Sequence, residues 1–229
     1  MKLPRILITA MRSGAGKTML TCGILKAMKM QEINPASFKC GPDYIDPMFH
    51  RAVLGVPSYN LDLFFSTPQT VRRLYTSGAA GHGSAVCEGA MGYYDGLGGV
   101  SAAASAWHTA DVLDLPVLLV VRPKGASLTL AAQLQGLKAF RTPHHIAGVL
   151  LNDCTEMLYK LLAPMLERET GLPVVGFLLG YFLTEGLMSE GWRYAAAVIA
   201  AAVFFLPSVF YDRQTKKDGS LTYTILRLF

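Results

Sequence analysis

Short runs of consecutive apolar residues alternate along this chain with longer stretches in which apolar positions recur every three or four residues. The runs Arg5 to Thr9, Ala36 to Lys39, Ser84 to Glu88, Val117 to Val121, Ile146 to Leu151 and Val174 to Phe177 predict buried strands. Leu20, Ile24 and Ala27 recur at helical spacing behind the first run, and Leu128 to Phe140 and Glu156 to Thr170 read as helices between later ones. Strands that are apolar throughout, separated by helices, predict an α/β chain whose mostly parallel sheet is covered on both faces, in three layers. Ligands of such folds collect beyond the carboxyl ends of the strands, so the loops after Thr9, Lys39, Glu88, Val121 and Leu151 are where chemistry is sought.

The first of these loops is the most informative. In ITAMRSGAGKTML the strand breaks into a glycine-containing turn and a helix follows at once. The backbone N–H groups of Ser13, Gly14, Ala15 and Gly16 can face an anion, helped by the positive end of the new helix. Lys17 then reaches the β- and γ-phosphates of a nucleotide, and the Thr18 hydroxyl reaches a magnesium ion. The usual phosphate-loop pattern begins with Gly five positions before Gly16, where this chain has Met11. The placement between strand and helix therefore carries more of the argument than the motif.

The segment FKCGPDYIDPMFH follows the second strand. Lys39 can supplement Lys17 near a phosphate or a substrate carboxylate, and Asp43 is a second candidate magnesium ligand, directly or through water. Asp46 and His50 fall on the substrate side, with a turn cap or a surface hydrogen bond as the simpler alternative for each. Asn60 and Asp62 in SYNLD share a side if that segment is extended, where they can orient an amide or carboxylate; turn formation is the competing reading. In AVCEGAMGYYDGLGG, Glu88 ends an apolar strand and is assigned as the other magnesium ligand. Tyr93, Tyr94, Asp95 and Gly96 form a candidate mobile substrate loop, against the alternative of an aromatic turn packed on the domain. Asn152, after IAGVLL, can recognise an adenine edge through its amide or cap the next helix.

Composition narrows the partners. With 52% hydrophobic and 16% charged residues, 229 residues suffice for one folded α/β domain and are too apolar for a disordered or nucleic-acid-wrapping chain. A net charge of +5 suits anionic ligands, but Lys and Arg are dispersed and no basic block is paired with aromatics, so nucleic acid is not expected. Cys22, Cys40, Cys87 and Cys154 lie far apart, as buried free thiols in a reducing cytoplasm would. The phosphate-loop pattern begins almost at once, leaving no room for a signal peptide. The run Tyr194 to Tyr211 has no charged residue; it reads as a packed segment, a product of truncation or a frame change, or a short membrane span, which Pro207 and its marginal length oppose.

In order, SGAGKT, FKCGPDYIDPMFH, NLD, EGAMGYYDG and LLN resemble the amidotransferase synthetases that convert cobyrinate to its a,c-diamide in cobalamin synthesis. The likeness covers roughly Arg5 to Gly176, with GPDYIDP and EGxMGxYDG its most specific parts. It implies a P-loop, dethiobiotin-synthetase-like fold in residues 1–180 and an atypical apolar segment in 181–229. It also implies ATP-dependent amidation, in which a ring carboxylate takes the γ-phosphoryl group and ammonia then displaces phosphate. By the same likeness Lys17, Lys39 and Asp46 serve catalysis, Thr18, Asp43 and Glu88 the metal side, and Tyr44, His50, Asn60, Asp62, Tyr93 and Asp95 the substrate side.

The partners implied are a tetrapyrrole polycarboxylate and ammonia, free or from a separate glutaminase, because family members continue into a glutaminase half for which this chain offers no nucleophilic cysteine. A homodimer is one open assembly. Cobyric acid synthetase or another tetrapyrrole amidase, a ParA- or MinD-like ATPase switch, and an inactive truncated fragment are the competing expectations.

Overall fold

The computed structural model describes residues 3–179, so the expected 181–229 segment, with its Tyr194 to Tyr211 run, lies outside the described residues. Seven strands form one sheet, all parallel: β1 (Arg5–Ala10), β2 (Pro35–Cys40), β3 (Ser58–Leu61), β4 (Ser84–Glu88), β5 (Val117–Val121), β6 (Ile146–Asn152) and β7 (Val174–Leu178), in the order β3-β2-β4-β1-β5-β6-β7. Helices α1 (Lys17–Met30), α2 (Ile45–Ala52), α3 (Pro68–Ala79), α4 (Ala106–Leu113), α5 (Leu128–Phe140) and α6 (Glu156–Thr170) connect them. No helix among the described residues is long and apolar enough to cross a membrane.

The central strands β4, β5 and β6, and all of β1 but Arg5, are buried because side chains from both faces meet helices. On one face Ile6, Ile8, Ala10, Val86, Leu118, Val120 and Leu150 pack against Leu20, Ile24, Leu25 and Met28 of α1. On the other, Leu7, Phe38, Cys87, Leu119, Val121 and Leu151 meet Val71 and Tyr75 of α3, Ala110 of α4, Leu134 of α5 and Leu166 of α6. Thr67, Ser105 and Thr155 start α3, α4 and α6 by accepting a backbone N–H on their side-chain oxygens. The cap of α6 is thus Thr155, and Asn152 remains in β6.

Two departures from expectation bear on the site. SYNL of that segment forms a seventh strand, β3, whose pattern was too short and too polar to read as one: Tyr59 and Asn60 are exposed, and Asp62 lies just beyond its end. The segment after β2 becomes α2, with its polarity reversed: Pro47 and His50 are buried while Ile45, Met48 and Phe49 are exposed.

The chain runs outward from β1 to β2 and β3, returns to insert β4 between β2 and β1, and then builds β5, β6 and β7 on the other side. β1 is therefore the point at which connections diverge, and the crevice at its carboxyl end is where such sheets take ligands.

Candidate active site at the carboxyl edge

Strand register assembles this site before any side chain is considered. Glu88 of β4 lies beside Ile8 of β1 and Lys39 of β2. Directly opposed residues of neighbouring strands share a face. Lys39 and Glu88 therefore rise, with Ile8, on the α1 side of the sheet, at the strand ends above which α1 begins.

There Lys39 Nζ stands between two carboxylates, 2.5 Å from Asp46 Oδ2 and 2.7 Å from Glu88 Oε1, with Asp43 Oδ2 at 3.7 Å. Thr18 Oγ1 donates to Glu88 Oε1 at 2.6 Å and lies 3.4 Å from Asp46 Oδ2. Lys39 and Glu88 are both almost wholly buried. Burial disfavours the Lys39 ammonium, but the charge of Glu88 and the hydrogen bonds to Asp46 and Glu88 outweigh it, so its pKa stands above that of an ordinary lysine. Glu88, deeper still, is pushed up by burial in spite of Lys39 and Thr18. Its second oxygen, Oε2, is buried without a partner.

Lys17 opens α1, and its Nζ donates to the carbonyls of Met91 at 2.6 Å and Arg12 at 3.4 Å. Burial first, with the charge of Lys39, lowers its pKa; Glu88 and Asp95 oppose this. Gly16 caps the helix with φ 94° and ψ 19°, a left-handed conformation that favours glycine. A Cβ there would also come within 2.3 Å of Asn152 Nδ2. That nitrogen donates to Ala15 O at 2.8 Å, so the end of β6 holds the loop between β1 and α1 from beneath. Asn152 Oδ1 is left buried and unpartnered.

The other predicted site residues divide into those at the rim and those that are not. Asp43 faces its own backbone: Oδ1 accepts from Ile45 N at 2.9 Å, and Asp46, one turn on, is the acid brought to Thr18. Tyr44 is exposed at the rim. Asn60 braces the Gly41–Asp43 loop, its Nδ2 donating to Gly41 O at 2.9 Å and to Asp43 O at 2.5 Å. Asp62 accepts from Phe64 N at 2.7 Å, as a turn-former does. Asp95 holds its loop closed by accepting from Gly92 N at 2.9 Å.

Two residues expected on the substrate side lie inside the fold. His50 is fully buried, with Nδ1 3.0 Å from Ser37 Oγ and 3.3 Å from Ser58 Oγ, and it fastens α2 to β2 and β3. Tyr93 is also buried, and its hydroxyl donates to His144 O at 2.6 Å. Tyr94 donates to Leu137 O at 2.8 Å and Trp107 Nε1 to Pro143 O at 2.9 Å. The aromatic segment is a packed anchor, and the expected mobile loop does not begin at these tyrosines.

Met91 was not anticipated, because its contribution is a carbonyl presented by a residue at φ 50°, which no side-chain pattern announces. The Arg122–Asp153 ion pair, beyond the ends of β5 and β6, was also missed. Its signal was available: each residue directly follows a strand whose loop had been marked for chemistry.

Burial holds His50 below the ordinary histidine pKa of 6.5. The neutral ring is therefore the folded-state form. Its contribution to stability is complete above about pH 6.5 and is lost as the pH falls through the lowered pKa, at up to about 1.4 kcal/mol per pH unit. Urea midpoints at pH 7.5 and about pH 5 should fall less in His50→Asn than in the wild type; equal falls would place the acid sensitivity elsewhere.

A sequence model of the CobQ/CobB/MinD/ParA nucleotide binding domain matches residues 6–181. The chain belongs to this family. Among relatives, cobyrinate a,c-diamide synthase of Clostridium tetani is 40% identical over 173 residues, covering 76% of this chain and 38% of the relative. The enzyme of the same name from Gloeobacter violaceus is 42% identical over 171 residues, with 75% and 38% covered. Hydrogenobyrinate a,c-diamide synthase of Mycobacterium tuberculosis is 37% identical over 180 residues, with 77% and 39% covered. The chain thus spans about two fifths of the length of these curated relatives.

Among solved structures, the MinD cell division protein of Aquifex aeolicus superposes with a TM-score of 0.60 at 16% identity, covering 89% of this chain and 96% of that one. The signal recognition particle receptor FtsY of Elizabethkingia anophelis gives 0.59 at 12% identity, with 87% and 66% covered. These two likenesses speak for the nucleotide-binding fold alone.

Proposed function

We propose that this member of the CobQ/CobB/MinD/ParA family is the ATP-using half of a cobyrinate a,c-diamide synthase. The observation that carries the reading is the meeting of Lys17, Thr18, Lys39, Asp46 and Glu88 at one strand edge, in a chain about 40% identical to enzymes of that name.

A side-chain carboxylate is a poor acyl donor because it would have to expel oxide. In the proposed reaction its oxygen attacks the γ-phosphorus of ATP and ADP departs. Ammonia then adds to the acyl carbon, phosphate leaves with the C–O bond electrons, and a proton is lost to give the amide. Lys17 and the backbone of Ser13 to Thr18 meet the phosphate oxygens and hold them through transfer. Lys39 supplies a second positive charge beside the incoming carboxylate.

Thr18, Glu88 and Asp46 form the donor set for magnesium, all hard oxygens, and the unpartnered Glu88 Oε2 fits that role. Asp43 takes part, if at all, through water. When bound, the cation spreads the charge that develops on the phosphates. Asn152 fits an adenine edge: one N–H of Nδ2 is committed to Ala15 O, and the unpartnered Oδ1 is an acceptor that matches the adenine amino group. Tyr44, at the rim, is the remaining substrate-side candidate, with Asn60, Asp62 and Asp95 shaping the loops around it.

None of the four cysteines suits glutamine hydrolysis, which needs a thiolate. Burial pushes the Cys22 thiol up to about 12 and that of Cys40 to about 11, and raises those of Cys87 and Cys154. The ammonia is therefore drawn from solution or from a glutaminase that these residues do not provide.

Purified chain incubated with ATP, magnesium and cobyrinic acid should incorporate isotope-labelled nitrogen from ammonia, one ADP per amide, and none from labelled glutamine. ADP release without any acceptor carboxylate would instead favour the switch ATPase reading, which the superposition on MinD keeps in play at the level of fold. Label appearing in a different tetrapyrrole acid would move the substrate and keep the chemistry.

A further inference from the structure

The position of the Lys39 ammonium carries a consequence beyond charge stabilisation. Its Nζ lies 2.5 Å from Asp46 Oδ2 and 2.7 Å from Glu88 Oε1, and the second of these oxygens also accepts from Thr18 at 2.6 Å. A cation held by Thr18, Asp46 and Glu88 draws on the same lone pairs, at ligand distances of roughly 2.0–2.1 Å for magnesium. One oxygen cannot serve the ammonium, the hydroxyl and a small divalent ion together, and the two positive charges repel.

We infer that Lys39 is an exchangeable counter-ion of the cation site: it holds Asp46 and Glu88 together, competes directly with the divalent ion, and is expelled into the crevice when that ion enters. This rests on the cation reading of Thr18, Asp46 and Glu88 given above.

Charge and burial support the exchange. Two carboxylates this close, one of them fully buried, repel unless a positive charge lies between them. A lysine serves because its single charge on a flexible stem can leave by rotation, whereas a planar guanidinium would bind both oxygens in a fixed fork. Replacement of one positive charge by two also neutralises the carboxylate pair. The ammonium set free at the mouth of the crevice is then available to a phosphate or carboxylate oxygen. Ordering follows from this: Lys39 becomes available to a ligand as a result of cation entry, so cation and anionic substrate bind with positive coupling.

The test is the affinity of nucleotide-free protein for Mn²⁺, followed by electron paramagnetic resonance, in the wild type, Lys39→Met and Glu88→Gln. Removal of the competitor should tighten Mn²⁺ binding at least tenfold in Lys39→Met, and Mn²⁺ should raise the melting temperature of that variant more than that of the wild type. Glu88→Gln should lose the site. Equal Mn²⁺ affinity in the wild type and Lys39→Met, with loss in Glu88→Gln, would overturn the exchange while leaving the cation site intact, as expected if Glu88 Oε2 alone took the ion. Unchanged binding in Glu88→Gln would overturn both.

Should Lys39→Met fail to fold, the wild type carries the test. Lys39 is 4% exposed, and its acetylation by acetic anhydride should accelerate at least fivefold at saturating Mn²⁺. No acceleration under saturation would refute the displacement.

Discussion

Under the proposed function, substitution of Lys17 by alanine is expected to lower ATP-dependent amide formation by about 10³-fold, equivalent to about 4 kcal/mol of transition-state stabilisation. The side chain opens α1 with its Nζ on the carbonyls of Met91 and Arg12, and burial keeps its pKa below the ordinary lysine value. Loss of this group should cost the fold much less than it costs the reaction. Two carbonyls lose one donor, at roughly 1 kcal/mol, while the desolvation penalty of a buried ammonium disappears. Single-turnover transfer set beside a urea melt separates the two quantities. A variant within tenfold of the wild-type rate would remove Lys17 from the phosphate site; a variant that loses rate only because it is unfolded would make it a structural lysine.

The second large effect is expected from Gly16→Ala. At φ 94° an L-residue is strained by about 1–3 kcal/mol, and the new methyl would approach within 2.3 Å of Asn152 Nδ2. Asn152 cannot retreat without breaking its bond to Ala15 O, which is the contact that holds the loop. Nucleotide affinity should fall at least tenfold together with stability. The clash and the strain are separable. In an Asn152→Ala background the steric part vanishes and the backbone part remains, so the two substitutions should be markedly non-additive in a double-mutant cycle. Simple additivity would show that the amide does not touch the loop.

The sheet was legible in the sequence wherever a strand is buried on both faces, because an apolar run is then required and little else fits. β4 and β5 coincide with their predicted bounds, and β1, β2, β6 and β7 extend those bounds by at most a residue at either end. α5 and α6 were legible for the complementary reason: each buries one stripe, and periodicity reports it. α2 was not, since it turns Ile45, Met48 and Phe49 outward and buries a histidine, so its pattern misleads about which side faces in.

The site follows the same division. Lys39 and Glu88 end apolar strands, and strand ends at this edge have few places to point, so their convergence was foreseeable. His50 and Tyr93 were expected on the substrate side from the segments that hold them and from the family resemblance. The hydroxyls of Ser37 and Ser58 and the carbonyl of His144, which occupy them, come from parts of the chain that no local spacing connects. That Asp46 and not Asp43 lies beside Thr18 has a local cause: once α2 forms, its first turn needs an acceptor, and Asp43 is the nearer acid.

The aromatic anchor after β4 also gives the molecule a mechanical character. Met91 O, which receives Lys17, belongs to a segment whose next three hydrogen-bonding rings, Tyr93, Tyr94 and Trp107, are tied to carbonyls of His144, Leu137 and Pro143. Those carbonyls belong to α5 and the turn that follows it, in the layer across the sheet from α1. Lys17 is thereby referenced to the opposite wall of the protein, as a pointer is to its backplate. A slip of α5 along the sheet would be read out as a displacement of Lys17, and the two layers are geared together without any ligand bridging them.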